Sequence, residues 1–177
     1  LDPLTGEVLE ERRARDLITP ELGSATQVLS APALAADGSR IAYFVTPQPT
    51  MFPTARRGPA GACVFDTRTF EPVSVIREVE AAARQLALDE RGDRLIASGR
   101  QRLWVWELDG PELSVAVNLG ATPTALAIAG DTIALGNASG ELELRDAGSG
   151  ARLASFQAHD GEILALAVSA DGKSLIS

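Results

Sequence analysis

The sequence predicts an all-β chain assembled from repeated four-stranded antiparallel sheets, and three observations predict it. A turn dipeptide recurs as Asp37-Gly38, Arg91-Gly92, Gly130-Asp131 and Asp171-Gly172, each time between two short apolar runs. A second marker, an acidic residue followed by a turn, recurs as Asp2-x-x-Thr5-Gly6, Asp66-x-x-Thr69-Phe70 and Asp146-x-x-Ser149-Gly150, with Glu107-Leu-Asp109-Gly110 one residue shorter. The two markers keep a common phase. Phe70 to Gly92 and Gly150 to Gly172 each span 22 residues, and Asp66, Glu107 and Asp146 are separated by steps of 41 and 39.

Each dipeptide turn joins two strands, because Gly and Asp tolerate the positive φ that a tight hairpin needs. The flanking runs are Ser30 to Ala36 with Ile41 to Val45, Arg84 to Asp89 with Leu95 to Ser98, Thr124 to Ala129 with Thr132 to Leu135, and Ile163 to Ala170 with Leu175-Ile176. Writing the strands of each repeat a to d, the c strands fall at 61–66, 102–108 and 141–146 and the d strands at 72–79, 113–119 and 152–157. A first d strand is expected near Gly6 to Glu11, although Glu10 to Asp16 lacks a period-2 alternation and could form a helical turn instead. A period near 40 residues is that of a four-stranded propeller blade. The prediction is therefore a β-propeller segment of about three full blades, 30–79, 83–119 and 123–157, with partial blades at 1–29 and 163–177. Strands of an inner blade pack on both faces, which accounts for their Val, Ile, Leu and Ala content.

Composition narrows the function. The chain has 177 residues, 45% of them hydrophobic, and a formal net charge of −8, the profile of a globular chain rather than a disordered one. One Cys and one His make a zinc site built from those residues almost impossible, and the acidic balance disfavours nucleic acid, whose phosphates need a basic field. No apolar run approaches the ~20 residues of a membrane helix, and Leu-Asp-Pro-Leu-Thr-Gly is not the start of a secretory signal, so a cytoplasmic location is expected. Fifteen Arg against Lys173 alone, with abundant Ala, fits a GC-rich bacterial genome. The absence of an initiator Met and a last run, Lys173 to Ser177, that reads as an unfinished strand suggest a piece of a longer protein. On its own such a piece would expose strand edges and tend to associate.

The stretch Ala158-His-Asp-Gly-Glu-Ile-Leu-Ala-Leu-Ala-Val-Ser-Ala-Asp-Gly-Lys-Ser-Leu-Ile-Ser177 resembles the repeat of the WD-repeat (WD40) β-propeller family, with Ala158 in place of Gly. Leu103-Trp-Val-Trp-Glu107 is similar to that family's strand c ending in Trp-Asp, and Val64-Phe65-Asp66 and Leu144-Arg145-Asp146 stand at the same phase. The resemblance covers nearly the whole chain in a degenerate form. It implies a polar network inside each blade linking a His, a strand-b Ser or Thr, a turn Asp and the Trp. For Trp106 the sequence offers Ser98, but Val79 stands where the His would fall and Arg100-Gln101-Arg102 supplies no Asp, so packing is expected to hold that blade.

Two stretches exceed the regular spacing. One is an extension of about ten residues within 14–28. The other is Thr46 to Ala60, whose Pro47, Pro49, Pro53 and Pro59 rule out a continued ladder. Most such insertions are surface loops with no partner. As a contact loop this one would use Met51, Phe52, Arg56 and Arg57, residue types common in interface cores.

The remaining reactive residues have plain structural readings. His159 is expected to hydrogen-bond within the following blade or face solvent, Asp160 beside it forms no acid/base pair, and Cys63 is a small buried hydrophobe. Trp104 and Trp106 share one side of a strand and pack between blades, with Leu103 and Val105 on the other side. Asn137-Ala138-Ser139 matches a glycosylation sequon but reads as a turn, Glu10 to Asp16 as a solvated mixed-charge face, and no phosphate-cradling loop is present. No catalytic, cofactor or metal residues are assigned. The expectation is a non-catalytic protein-interaction scaffold with protein partners, no nucleic acid and no membrane insertion in this segment. The alternative is a propeller enzyme or ligand sensor of lactonase-like or quinoprotein-like type, suggested by Phe65-Asp-Thr-Arg-Thr-Phe-Glu-Pro.

Overall fold

The computed structural model describes residues 26–28, 32–47, 61–76, 83–110, 112–169 and 173–177, and all regular structure among them is β. The strands are β1 (Thr26–Val28), β2 (Ala33–Leu34), β3 (Arg40–Pro47), β4 (Gly61–Asp66), β5 (Pro72–Ile76), β6 (Gln85–Leu88), β7 (Arg94–Gly99), β8 (Arg102–Glu107), β9 (Glu112–Asn118), β10 (Pro123–Ala129), β11 (Thr132–Asn137), β12 (Glu141–Asp146), β13 (Arg152–Gln157), β14 (Ala167–Val168) and β15 (Leu175–Ile176). They form antiparallel meanders in the orders β1-β3-β4-β5, with β2 also on β3, then β6-β7-β8-β9, β10-β11-β12-β13, and β14-β15. From β2 onward every strand within a meander pairs with the next in sequence, as the turn dipeptides require, while β1 pairs with β3 beside β2.

The sheets stack face to face as blades around a common line, with the first strands β2, β6, β10 and β14 as successive inner neighbours. The second blade is buried on both faces. On one side Leu95, Ala97, Trp104 and Trp106 pack with Ala42, Phe44, Ala62, Val64 and Ile76 of the first. On the other, Ile96, Leu103, Val105 and Val115 pack with Ile133 and Leu135 of the third. Both tryptophans are thus inter-blade wedges. Full burial of each such aliphatic chain contributes roughly 1.5–3 kcal/mol, so these two faces carry the cohesion of the array.

The register places Ser98 opposite Leu103, on the face away from Trp106, which lies opposite Leu95. The pairing of Trp106 with Ser98 expected from the resemblance is therefore not made. The Ser98 hydroxyl donates to Oε1 of Gln85 at 2.8 Å, and Trp106 sits among apolar groups.

Two further boundaries differ from the sequence reading. The innermost strand of the first blade is split, since Val28 pairs with Val45 and Ala33 with Ala42. Thr26–Val28, expected within an extension, belongs to the sheet. β3 also runs on to Pro47 opposite Thr26, because the last position of a strand tolerates Pro. The d strands begin at Pro72, Glu112 and Arg152, within one residue of the expected starts, and each carries a bulge one or two residues in. The expected strand near Gly6 to Glu11 lies outside the described residues.

Candidate partner-binding face

The blades present two ends. One holds the a-b and c-d turns, where the recurrent Asp of two c-d turns is bound by its own turn. Asp66 Oδ1 accepts from the backbone N–H of Arg68 at 2.8 Å and Thr69 at 2.9 Å. Asp146 Oδ1 accepts from the Ser149 N–H at 2.8 Å and its hydroxyl at 2.6 Å. These bonds favour the ionised form, so the Asp66 carboxyl, through Thr69 first and Arg68 next, and the Asp146 carboxyl, through Ser149, titrate below the ordinary aspartate value. The recurrent Asp of the sequence marker is thereby explained as the clasp of the c-d turn.

Two arginines at equivalent positions, each two residues past the glycine of an a-b turn, tie this end together. Arg40 Nη1 donates to the Gly92 carbonyl at 2.7 Å and lies 3.3 Å from Asp93. Arg94 bridges Glu107 at 2.8 Å and Asp131 at 2.5 Å. Each therefore reaches the turn of the next blade. The recurrent Gly-x-Arg in Gly38-Ser39-Arg40 and Gly92-Asp93-Arg94 is the signal that could have revealed them.

The other end holds the b-c turns and the starts of the inner strands. In the third blade, Asn137 Oδ1 accepts from Ser139 N–H at 3.0 Å, Ser139 Oγ at 2.8 Å and Glu141 N–H at 3.1 Å, and its amide donates to Glu141 at 3.2 Å. Asn137 is a buried turn residue, as read from sequence, and its amide is committed. Ser155 donates to Glu141, which with Asn137 holds the Glu141 carboxyl below its ordinary value. The second blade closes the equivalent connection with a shorter, two-residue turn, Arg100-Gln101, both left-handed at φ 50° and 73° as a tight hairpin requires. Both project into solvent.

Arg84 is placed beside that turn by its backbone N–H, which donates to the Ser98 carbonyl at 2.9 Å. Its side chain is exposed, and among the described residues neither Arg84 nor Arg100 is ion-paired. Arg84 borders a shallow concavity of about 270 Å³ at the mouth of the inner strands, lined also by Pro32, Leu86, Thr124, Leu126 and Leu164. Leu164 is 78% exposed. A larger concavity of about 570 Å³ runs further along the same inner strands, over Leu34, Leu88, Ile128 and Val168, with Glu90 as its charged group.

The predicted contact residues Met51, Phe52, Arg56 and Arg57 lie outside the described residues; their connection leaves from Pro47 and returns at Gly61. His159 is exposed, with Nε2 2.6 Å from the Ser177 hydroxyl of the last hairpin, in keeping with the expected bond inside the following blade. Cys63 is buried between Tyr43 and Phe65, as expected of a small hydrophobe. Among the described residues no group of three or more His, Cys, Asp or Glu side chains could hold a metal ion, and no helix is long and apolar enough to cross a membrane.

Stacked four-stranded meanders with their first strands innermost are the architecture of a β-propeller, and solved structures of that class superpose on the chain. The Dos1 propeller matches with a TM-score of 0.64 at 13% identity, over 82% of this chain and 37% of that one. A chain of the mitotic checkpoint complex matches with 0.60 at 19%, over 84% and 46%. A chain of Kuenenia stuttgartiensis hydrazine synthase matches with 0.62 at 17%, over 85% and 42%. The chain thus spans less than half the length of each. No protein-family model and no curated protein matches the sequence. The likeness establishes the β-propeller fold.

Proposed function

We propose that this chain is the WD-like blade array of a larger bacterial protein and serves as a non-catalytic scaffold, holding another protein against the end that carries the b-c turns. The observation that supports the reading is the mouth formed by Arg84, Leu86, Leu126 and Leu164. Leu164, 78% exposed, stands at one concavity with the exposed Arg84 and the half-buried Leu86 and Leu126, a mixture of aliphatic and guanidinium groups of the kind from which interface cores are made. At the opposite end Asp66, Asp146, Arg40 and Arg94 are held in turn and inter-blade bonds. A net charge of −8 leaves protein, rather than nucleic acid, as the class of partner. The WD-repeat assignment rests on the His159 stretch and on the Leu103-Trp-Val-Trp-Glu107 strand.

The test is a crosslinking capture with the full-length protein, followed by reconstitution of the recovered partner with purified components. The expected result is a saturable complex of fixed stoichiometry by calorimetry. The reading fails if no partner reconstitutes while calcium or manganese raises the melting temperature and a lactone or redox substrate turns over, since a resident ion must stabilise the folded state.

A further inference from the structure

We infer that the open outer face of the third blade, at Ala154 and Phe156, is the seat of a strand c supplied by this protein's own chain beyond the β14-β15 hairpin. The repeats supply the comparison. Ser74, Val115 and Ala154 stand at one position of the d strand, and Ile76, Val117 and Phe156 stand two residues further on, opposite matching residues of strand c. In the first blade both positions are buried, and in the second Val115 is buried and Val117 half-buried. In the third, Ala154 is exposed and Phe156 is 50% exposed.

At the first two junctions the cover is the following blade's strands b and c. Ile76 packs in one cluster with Leu95, Trp104 and Leu108, and Val115 in another with Ile133, Leu135 and Ala147. Leu108 and Ala147 are equivalent, each directly after the acidic end of strand c. The turn beyond Ala147 closes in as well, since a Cβ on Gly150 would stand 2.7 Å from Val115 and 2.8 Å from Val117. At the third junction β14 and β15 occupy the places of strands a and b, and Ile163, Leu166 and Leu175 pack with Leu142 and Leu144. Ala154 lies opposite Leu144 and Phe156 opposite Leu142, on the same sheet face, so the open patch is continuous with an interface already formed. Its place is that of strand c and the turn after it. A strand paired with β15, with an apolar residue after its last position, closes the patch as in the two blades before.

The test is maleimide labelling of the purified full-length protein carrying Ala154→Cys or, as a reference, Ala116→Cys at an exposed position of the second blade's d strand, with the parent protein as the background for Cys63. In the folded protein Ala154→Cys is expected to label at least tenfold more slowly than Ala116→Cys, at a rate independent of protein concentration, and the two should label alike in urea. Phe156→Asp, which places a charge in the closed junction, is expected to lower the melting temperature by at least about 5 °C, and Ala116→Asp by less than about 2 °C. Labelling of Ala154→Cys at the reference rate overturns the inference. Protection that fades on dilution also overturns it, because the cover is then a second copy, and so does a Phe156→Asp variant that melts with the parent. Partner capture is read separately, so the scaffold reading stands or falls without this one.

Discussion

Arg94 in β7 lies 2.5 Å from Asp131, a residue of the next blade's a-b turn, while its Nε donates to Glu107 of its own blade at 2.8 Å. One guanidinium thus locks the start of a b strand to two acidic turns. Asp131 is 79% exposed and Arg94 26%, so screening limits the pair to about 0.2–1 kcal/mol. Mutating Arg94→Ala and Asp131→Ala singly and together should give a coupling energy of roughly 0.5 kcal/mol in a double-mutant cycle at low salt. That coupling should shrink as the Debye length falls. A coupling of zero at low ionic strength would show that the two blades are held by apolar packing alone.

The left-handed turn of the second blade carries a removable cost. A non-glycine residue at positive φ costs on the order of 1 kcal/mol, and Gln101 sits at φ 73° with an exposed side chain. Its carbonyl accepts from the Leu119 N–H at 2.7 Å, a bond that any residue can supply. Gln101→Gly should therefore stabilise the protein by about 0.5–1 kcal/mol, raising the urea midpoint without changing the slope of the transition. A lower midpoint would mean that the glutamine side chain contributes something the turn geometry does not show.

Much of this architecture was legible because the backbone of each repeat is held by turn chemistry that has a residue signature. Asp66 and Asp146 clasp their turns through the same oxygen, and Gly38, Gly92 and Gly130 all adopt positive φ. Where the signature is lost the conformation remains. Phe70 takes φ 57° at the position where Gly150 takes 71°, and the two-residue turn Arg100-Gln101 is left-handed without glycine. Neighbouring strands dictate those dihedrals, so the sequence there under-reports the structure. Long-range relations were harder to read. Which face Ser98 occupies depends on the register of β7 against β8, and a one-residue offset reverses the answer. The mouth around Leu164 joins residues from four blades, and its Leu and Ala are indistinguishable in sequence from core positions. The proposed loop residues Met51, Phe52, Arg56 and Arg57 lie outside the described residues.

The turn carboxylates set an acid limit on stability. In the folded protein Asp66 is lowered by the Thr69 and Arg68 amides and Asp146 by Ser149, whereas in the unfolded chain both return to the ordinary value near 4. A lowered folded value means that the native state holds its ionised form longer. Its contribution is complete above the unfolded value and disappears as pH falls through the folded one. Stability attributable to these turns should be level from about pH 7 to 5 and decline below about 4. Asp66→Ala/Asp146→Ala should be less stable at neutral pH and show a shallower decline in acid, read from urea midpoints at a series of pH values. Parallel curves for the variant and the parent would remove these two carboxylates from the explanation.

Two glycines of similar dihedral angle separate backbone strain from crowding. Gly38, at φ 72°, has open space where a Cβ would stand, so Gly38→Ala should cost only the conformational penalty of about 1 kcal/mol. Gly140, at φ 84°, faces the loop that leaves the third blade, and a Cβ there would stand 2.0 Å from the His159 carbonyl oxygen and 2.6 Å from that of Gly161. Its own carbonyl accepts from the Ala158 N–H at 2.9 Å and the His159 N–H at 3.1 Å, so turn and loop are tied at the point of contact. Backbone cannot rotate away as a side chain can, and relief would pull His159 from Ser177, 2.6 Å away. Gly140→Ala should therefore cost at least about 3 kcal/mol and expose the third blade's outer strand to faster amide exchange. Equal losses for Gly38→Ala and Gly140→Ala would show that the loop yields, and that the last hairpin is not anchored through Gly140.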